Sequence, residues 1–145
     1  MKYKKLVEFL SKVEKKDDQT NERRIITAEK IEQLKASYPN VPSDYLDYLL
    51  EVGEGSFKES QFMVYSFLGT LADFSSEHLF SRSINILIFG DNFAGDFSGF
   101  NVDNNYSVVE LWHDCGEVYE TNKSFKEYIE QQALMTEDGT VLAKT

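Results

Sequence analysis

Between residues 84 and 121 the chain is cut into four short apolar runs by turn-forming residues, and this spacing limits the fold more than any other feature. Residues 84–89 lead into Gly90-Asp91-Asn92-Phe93-Ala94-Gly95-Asp96. Residues 97–102 turn at Asp103-Asn104-Asn105, residues 107–113 turn at Asp114-Cys115-Gly116, and residues 117–121 run into a helix start. Runs this short, punctuated by Gly, Asn and Asp, predict an antiparallel meander. The turns are rich in carboxylates, yet none has the spacing of a catalytic site, which points to a binding surface.

Helical periodicity appears on either side of the meander. Leu6, Phe9, Leu10 and Val13 recur at offsets of three and four and predict a helix within residues 2–15. A polar loop, residues 16–24, follows. Thr27 is placed to cap a second helix with Glu29 in its first turn and Ile31 and Leu34 inward. Pro39 ends that helix, because its ring disfavours helical geometry at Tyr38. Ser43 is the expected cap of a third helix over residues 44–52, with Leu46, Leu49 and Leu50 buried and Gly53 as its left-handed stop. Gly53-Glu54-Gly55-Ser56 reads as helix stop and loop, residues 61–65 as the first strand, and residues 71–80 as a loop with a helical turn. Ser124-Phe125-Lys126-Glu127 forms a capping box that opens a last helix reaching about Met135. Residues 136–145 read as a loose tail. The expected fold is α+β, with a mostly antiparallel sheet of about four to six strands packed by N-terminal helices and a C-terminal helix.

A chain of 145 residues suits one domain, and an apolar content of 41% is enough to build its core. The basic start, Met1-Lys2-Tyr3-Lys4-Lys5, is not followed by the apolar stretch of a signal peptide. No apolar run approaches the roughly 20 residues that span a bilayer. The single Cys115 cannot form an internal disulfide, which suits a reducing interior. A cytoplasmic location away from membranes is expected. The net charge of −10 is uneven: residues 1–30 hold nine Lys/Arg against six Asp/Glu, and residues 91–145 hold three against eleven. An acidic half repels a phosphate backbone, so direct nucleic-acid binding is disfavoured. It attracts a basic protein, such as one that itself binds nucleic acid. The plainer alternative is that excess acid only maintains solubility.

Enzymatic arrangements fare poorly. His113 and Cys115 could form a Cys–His pair, but Glu110, Asp114 and Glu117 crowd the cysteine with negative charge, and a thiolate needs positive neighbours. Asp91, Asp96 and Asp103 could gather a divalent cation, yet the loop departs from the calcium-hand pattern, with Phe93, Gly95 and Val102 at ligand positions. Gly53-Glu54-Gly55 stands at a helix end, whereas a phosphate loop follows a strand and opens a helix. His78 has no histidine or cysteine nearby in sequence for zinc. No Gly-x-Ser-x-Gly elbow or His-Glu-x-x-His helix occurs. No catalytic residue, metal or cofactor is expected.

Phe93, Phe97, Phe100, Tyr106, Trp112 and Tyr119 interleave with the carboxylates of the meander. Strand alternation puts Val109, Leu111 and His113 on one face and Val108, Glu110 and Trp112 on the other. Trp112 on the more polar side is a candidate interface anchor. The alternative packs Trp112 beneath the last helix against Phe125 and Tyr128, in which case Trp112 and Phe125 are both largely buried. The candidate partner-binding residues are Asp91, Asp96, Asp103, Trp112, Asp114 and Glu117.

The order of elements resembles the SUKH superfamily, which includes immunity proteins and fungal cell-wall-synthesis regulators. The resemblance is carried by Ile26-Thr27-Ala28-Glu29-Lys30-Ile31, by Val41-Pro42-Ser43-Asp44-Tyr45-Leu46 through Leu50, and by Gly53-Glu54-Gly55. It continues through Ile88-Phe89-Gly90-Asp91 to Gly95-Asp96, Val108-Val109-Glu110-Leu111-Trp112-His113-Asp114 and Ser124-Phe125-Lys126-Glu127-Tyr128-Ile129. It covers residues 25–131 of a single domain spanning 1–145. Residues 1–24 form an N-terminal helix and loop outside it, and Val41 stands where leucine is usual. The resemblance implies a non-catalytic module, in bacteria an immunity protein that neutralises a cognate toxin, often a nuclease. In fungi it implies a regulatory protein that binds a host partner. Joined to the charge pattern, the expected partner is a toxin with a basic active-site cleft, and the alternative is a regulatory scaffold.

Overall fold

The computed structural model describes residues 1–74, 80, 85–136 and 139–140. Its elements run α1 (Lys4–Val13), α2 (Ala28–Ser37), α3 (Ser43–Glu51), β1 (Gly55–Phe57), β2 (Phe62–Gly69), β3 (Ile86–Asp91), β4 (Phe97–Asn101), β5 (Ser107–Trp112), β6 (Glu117–Glu120) and α4 (Phe125–Gln132). All six strands pair antiparallel in sequential order, β1-β2-β3-β4-β5-β6. The α+β fold and the four-strand meander expected from the turn spacing are both present.

Helix starts follow local chemistry. The Thr27 hydroxyl accepts the Lys30 N–H and caps α2. The capping box at α4 is closed on both sides, by Ser124 and by Glu127. At α3 the expectation is corrected: Pro42 occupies the cap without a side-chain bond, and Ser43 is the first helical residue. The same helix buries Tyr45, Leu46, Tyr48 and Leu49, while Leu50 is exposed. Its apolar stripe is centred on the two tyrosines, and a residue one step past Leu49 turns about 100° off that stripe. Gly53 has a φ of 104° and ends α3 as its sequence position suggests.

One face of the sheet carries α1, α3 and α4 through a core that includes Leu6, Phe9, Leu10, Tyr45, Phe62, Phe89, Phe100, Phe125 and Ile129. The opposite face holds a smaller cluster of Tyr65, Ile86, Ile88, Val109 and Leu111, against which Phe74, Phe80 and Phe97 pack. Ile86 and Ile88 face one layer while Leu87 and Phe89 face the other, as a two-residue period requires. Leu71, Phe74 and Phe80 therefore lie against the second face; residues 75–79, including His78, lie outside the described residues. Most of the expected C-terminal tail lies outside them too.

Two features escaped the sequence. Gly55–Phe57, expected as loop, is a strand paired with β2. Three residues are too few to show a period. In β2, Val64 pairs with Gly90 and Gly69 with Ile88, so Tyr65, Ser66, Phe67 and Leu68 stand opposite Phe89 alone. This wide bulge turns Phe67 outward to 48% exposure. Beside it, a Cβ on Gly90 would lie 2.3 Å from the Met63 carbonyl oxygen, so β2 and β3 come together here only because residue 90 lacks a side chain.

The N-terminal helix is part of the same core. Tyr3 is fully buried, donates its hydroxyl to the Asp44 carbonyl at 2.7 Å and meets Tyr48 edge to face. At the other end of α1, Glu14 takes both Arg23 Nη atoms at 2.7 and 2.8 Å and also accepts the Lys58 N–H. Lys58, Glu59 and Ser60 all have positive φ, an uncommon run for non-glycine residues. Glu14 and Asn21 hold it by binding the N–H groups of Lys58 and Glu59.

Two stability changes are expected. Phe125→Ala should cost roughly 3–5 kcal/mol, the range for emptying a buried aromatic site, as read by chemical unfolding. A loss under about 1 kcal/mol would mean that α4 does not close the core. Glu14→Ala should cost about 3 kcal/mol because it leaves the largely buried Arg23 guanidinium with the Ser56 carbonyl alone and the Lys58 N–H without its acceptor. Combining it with Arg23→Ala should recover part of that loss, and a strictly additive double variant would contradict the pairing.

Candidate partner-binding surface

Antiparallel alternation sends the β3–β4 loop and the β5–β6 turn to one end of the sheet and the β4–β5 connection to the other. Asp91, Asp96, Trp112, Asp114 and Glu117 therefore gather at one end. Asp103 sits in a short 3-10 turn, Val102–Asn104, at the opposite end, about 17 Å away along a five-residue strand. The sequence set is thus split by topology.

Within the upper group the carboxylates have different duties. Asp91 accepts the Phe93 N–H at 2.8 Å through Oδ1 and the Tyr65 hydroxyl through Oδ2. Asn92 Oδ1 accepts the N–H groups of Ala94 and Asp96, closing the loop. Asp96 Oδ1 accepts the His113 backbone N–H at 3.0 Å and lies 2.7 Å from His113 Nδ1, tying this loop to the β5–β6 turn. Asp91 and Asp96 are therefore builders of the loop, which lifts Phe93 to 52% exposure. Asp103, Asp114 and Glu117 are exposed, and among the described residues their carboxylates join no hydrogen bond or ion pair.

Trp112 is not beneath α4. It lies 38% exposed, with its ring stacked on Tyr119 at 5.5 Å and 14°, and Tyr119 is 50% exposed. The alternation expected for β5 holds: Val108 belongs to the helix-side core and Val109 and Leu111 to the opposite cluster. Trp112 shares the helix face, but α4 covers Val108 and Glu110 and leaves the outer corner bare. Only half of the joint burial expectation is met, because Phe125 is 2% exposed. Glu110 links the two regions, accepting the Trp112 indole N–H at 3.3 Å and the Tyr128 hydroxyl at 2.8 Å.

Next to this stack a cleft of about 350 Å³ is lined by Gln61, Glu110, Tyr119, Thr121, Lys123 and Tyr128, among others. A second groove of about 490 Å³ lies at the β2 bulge, lined by Arg24, Glu54, Met63, Tyr65 and Phe67 among others. Arg24 and Glu54 are ion-paired there, and Glu54 also accepts the Ser66 hydroxyl. Neither opening presents a nucleophile beside a base. Among the described residues no hydroxyl or thiol bonds to the His113 ring, and no group of three or more His, Cys, Asp or Glu side chains is placed to hold a metal. No helix among them is long and apolar enough to cross a membrane.

Tyr119 and Glu110 are named in the sequence analysis but not among its candidate partner-binding residues. A usable signal existed: residues 83–122 contain seven Asp/Glu and no Lys or Arg. Pairing Glu110 with Tyr119 and Trp112 with Glu117 then makes Trp112 and Tyr119 diagonal neighbours on one face.

The Asp96 contact sets a pH dependence. Burial pushes its carboxyl up, but hydrogen bonds from the His113 ring, the His113 N–H and Asn92 outweigh that, and the net shift is downward. A carboxylate held below its unfolded value stabilises the fold above about pH 4 and loses that effect as pH falls through the lowered value. Asp96→Asn should melt below the parent at pH 7, and the gap should narrow progressively as pH falls below about 4. An equal gap at every pH would remove the ionised carboxylate from the account.

The helices α2 and α3, the Gly-Asp exit of β3, the strand β5 and the capped α4 occupy the positions expected from the family resemblance. No curated protein and no solved structure matches the chain. The chain belongs to the SMI1/KNR4 family (SUKH-1), whose family model matches residues 25–131.

Proposed function

We propose that this chain is a non-catalytic protein-binding module of the immunity type, acting in the cytoplasm by binding a toxin domain with a basic active-site cleft. Family membership makes such a module the natural expectation. The observation that carries the reading is the exposed Trp112–Tyr119 stack set beside Glu110, Asp114 and Glu117, in a stretch without Lys or Arg. Large aromatic side chains supply affinity in interface centres, and surrounding carboxylates steer a basic partner and fix its orientation. Asp91 and Asp96 enter this reading by shaping the loop beside the surface. Asp103, at the far end, contributes to the long-range field.

Co-expression with each toxin-like open reading frame adjacent to its gene tests the proposal. Cells should grow only when this chain is present, and the purified pair should form a complex. Cells that die regardless, with no complex formed, would remove the immunity reading and leave a regulatory partner as the alternative. In a complex that forms, replacing Asp114 by Asn and Glu117 by Gln should slow association about tenfold at low ionic strength. The difference should shrink as salt shortens the reach of the field to a few ångströms. Melting should change little, because exposed carboxylates contribute little stability.

A further inference from the structure

The two edges of the sheet are treated differently. Outside β1 the segment 19–24 lies close: Arg24 and Glu54 form a bridge, Arg23 donates to the Ser56 carbonyl and the Ser56 hydroxyl bonds the Thr20 carbonyl. Outside β6 no strand or loop pairs among the described residues. The Thr121 N–H donates to the Val108 carbonyl, and the β5–β6 register is unbroken. Antiparallel ladders alternate, so Glu117 and Tyr119 turn their backbone groups to β5, while Val118 and Glu120 turn theirs outward. This edge is short and bears two glutamates, both of which discourage pairing, but it has no proline, lysine or bulge to block it outright.

What the edge does carry is acid. Glu117 and Glu120 lie on the strand and Asp114 in the turn before it. A second copy of β6 added antiparallel would bring together two strands that carry glutamates and no cation, and this like charge disfavours self-pairing. A strand bearing cations would meet the opposite charge. Beside the edge, the exposed Trp112–Tyr119 stack offers π faces to a guanidinium or ammonium group, with Glu110 next to it. One cation, Lys123, lines the adjoining cleft, and its amine is bonded to the Gln131 side chain.

We propose that the outer edge of β6 takes up an extended arginine- or lysine-rich segment of a partner protein as a seventh strand, with a cationic side chain lying on the Trp112–Tyr119 stack. The inference rests on the protein-binding reading above and adds where and how the partner is held. Backbone pairing supplies the affinity and the aromatic–carboxylate corner selects the charge.

The probe is a synthetic eight-residue peptide of alternating arginine and valine. It should change the fluorescence of the single tryptophan and slow hydrogen exchange at the Val118 and Glu120 amides. A glutamate–valine peptide should do neither. Glu120→Pro removes an outward N–H without removing a bond to β5, and should weaken binding at least tenfold. Should that variant fail to fold, a peptide N-methylated at every second residue on its bonding edge makes the same test on the parent protein. The inference is overturned if the arginine–valine peptide does not bind, if methylation leaves its affinity unchanged, or if the free protein dimerises through β6. A toxin bound and neutralised equally by the parent and a folded Glu120→Pro variant would remove the edge from the interface while leaving the immunity reading intact. A parent that neutralises no toxin, yet takes up the peptide at β6, would do the reverse.

Discussion

The packing of Phe89 against Phe125 holds the rest of the molecule in place. Their ring centroids lie 5.1 Å apart at 78°, and around them Tyr45, Tyr48, Phe100 and Tyr128 make further edge-to-face or tilted contacts. Through this cluster α3 and α4 are clamped onto β3 and β4. Each such pair adds about 0.5–1.5 kcal/mol beyond the burial of area. The hydroxyls of the tyrosines extend it. Tyr45 donates to the Tyr65 carbonyl inside the β2 bulge, and Tyr128 reaches Ser98 and Glu110. The bulge and the outer corner of the sheet are thus positioned by polar atoms belonging to core residues.

That arrangement explains why the candidate surface is ordered although it lies at a corner. Glu110 is held by Tyr128 and in turn accepts the Trp112 indole N–H, so the exposed stack is one hydrogen bond removed from the helix-side core. The loop opposite is fixed through Asp96 and His113. An aromatic surface held in this way loses little conformational freedom on binding, which favours affinity. One buried group stands apart: among the described residues the Tyr48 hydroxyl is the buried side-chain polar atom without a partner, close to the edge-to-face contact with Tyr3. Leaving it so costs stability, and the surrounding rings of Tyr3 and Phe125 offset that cost by packing.

Local patterns were legible where one short segment carries the whole signal. The Ser124–Glu127 capping box, the Thr27 cap, the Gly53 stop and the four runs of the meander each depend on neighbours in sequence, and all appear in place. Ser43 and Leu50 were misread because Pro42 took the cap and because the buried face of α3 was set by tyrosines that residue type alone does not place inside. The strand Gly55–Phe57 was invisible because only pairing with Phe62–Val64 makes it a strand.

The sequence by itself determined the α+β class, the meander, the α4 start and the acid-rich, cation-free character of residues 83–122. Those properties follow from periodicity, turn chemistry and composition, which need no third dimension. Tertiary structure decided which carboxylates are free. Asp91 and Asp96 became loop ties because Tyr65 and His113 arrive from other strands. Asp103 was sent to the far end because antiparallel strands alternate direction. Trp112 was left exposed because α4 leads to the β1–β2 turn, where Gln61 and Lys58 bond its last carbonyls, and not over the outer corner beside β6, a matter of helix placement that strand alternation does not contain.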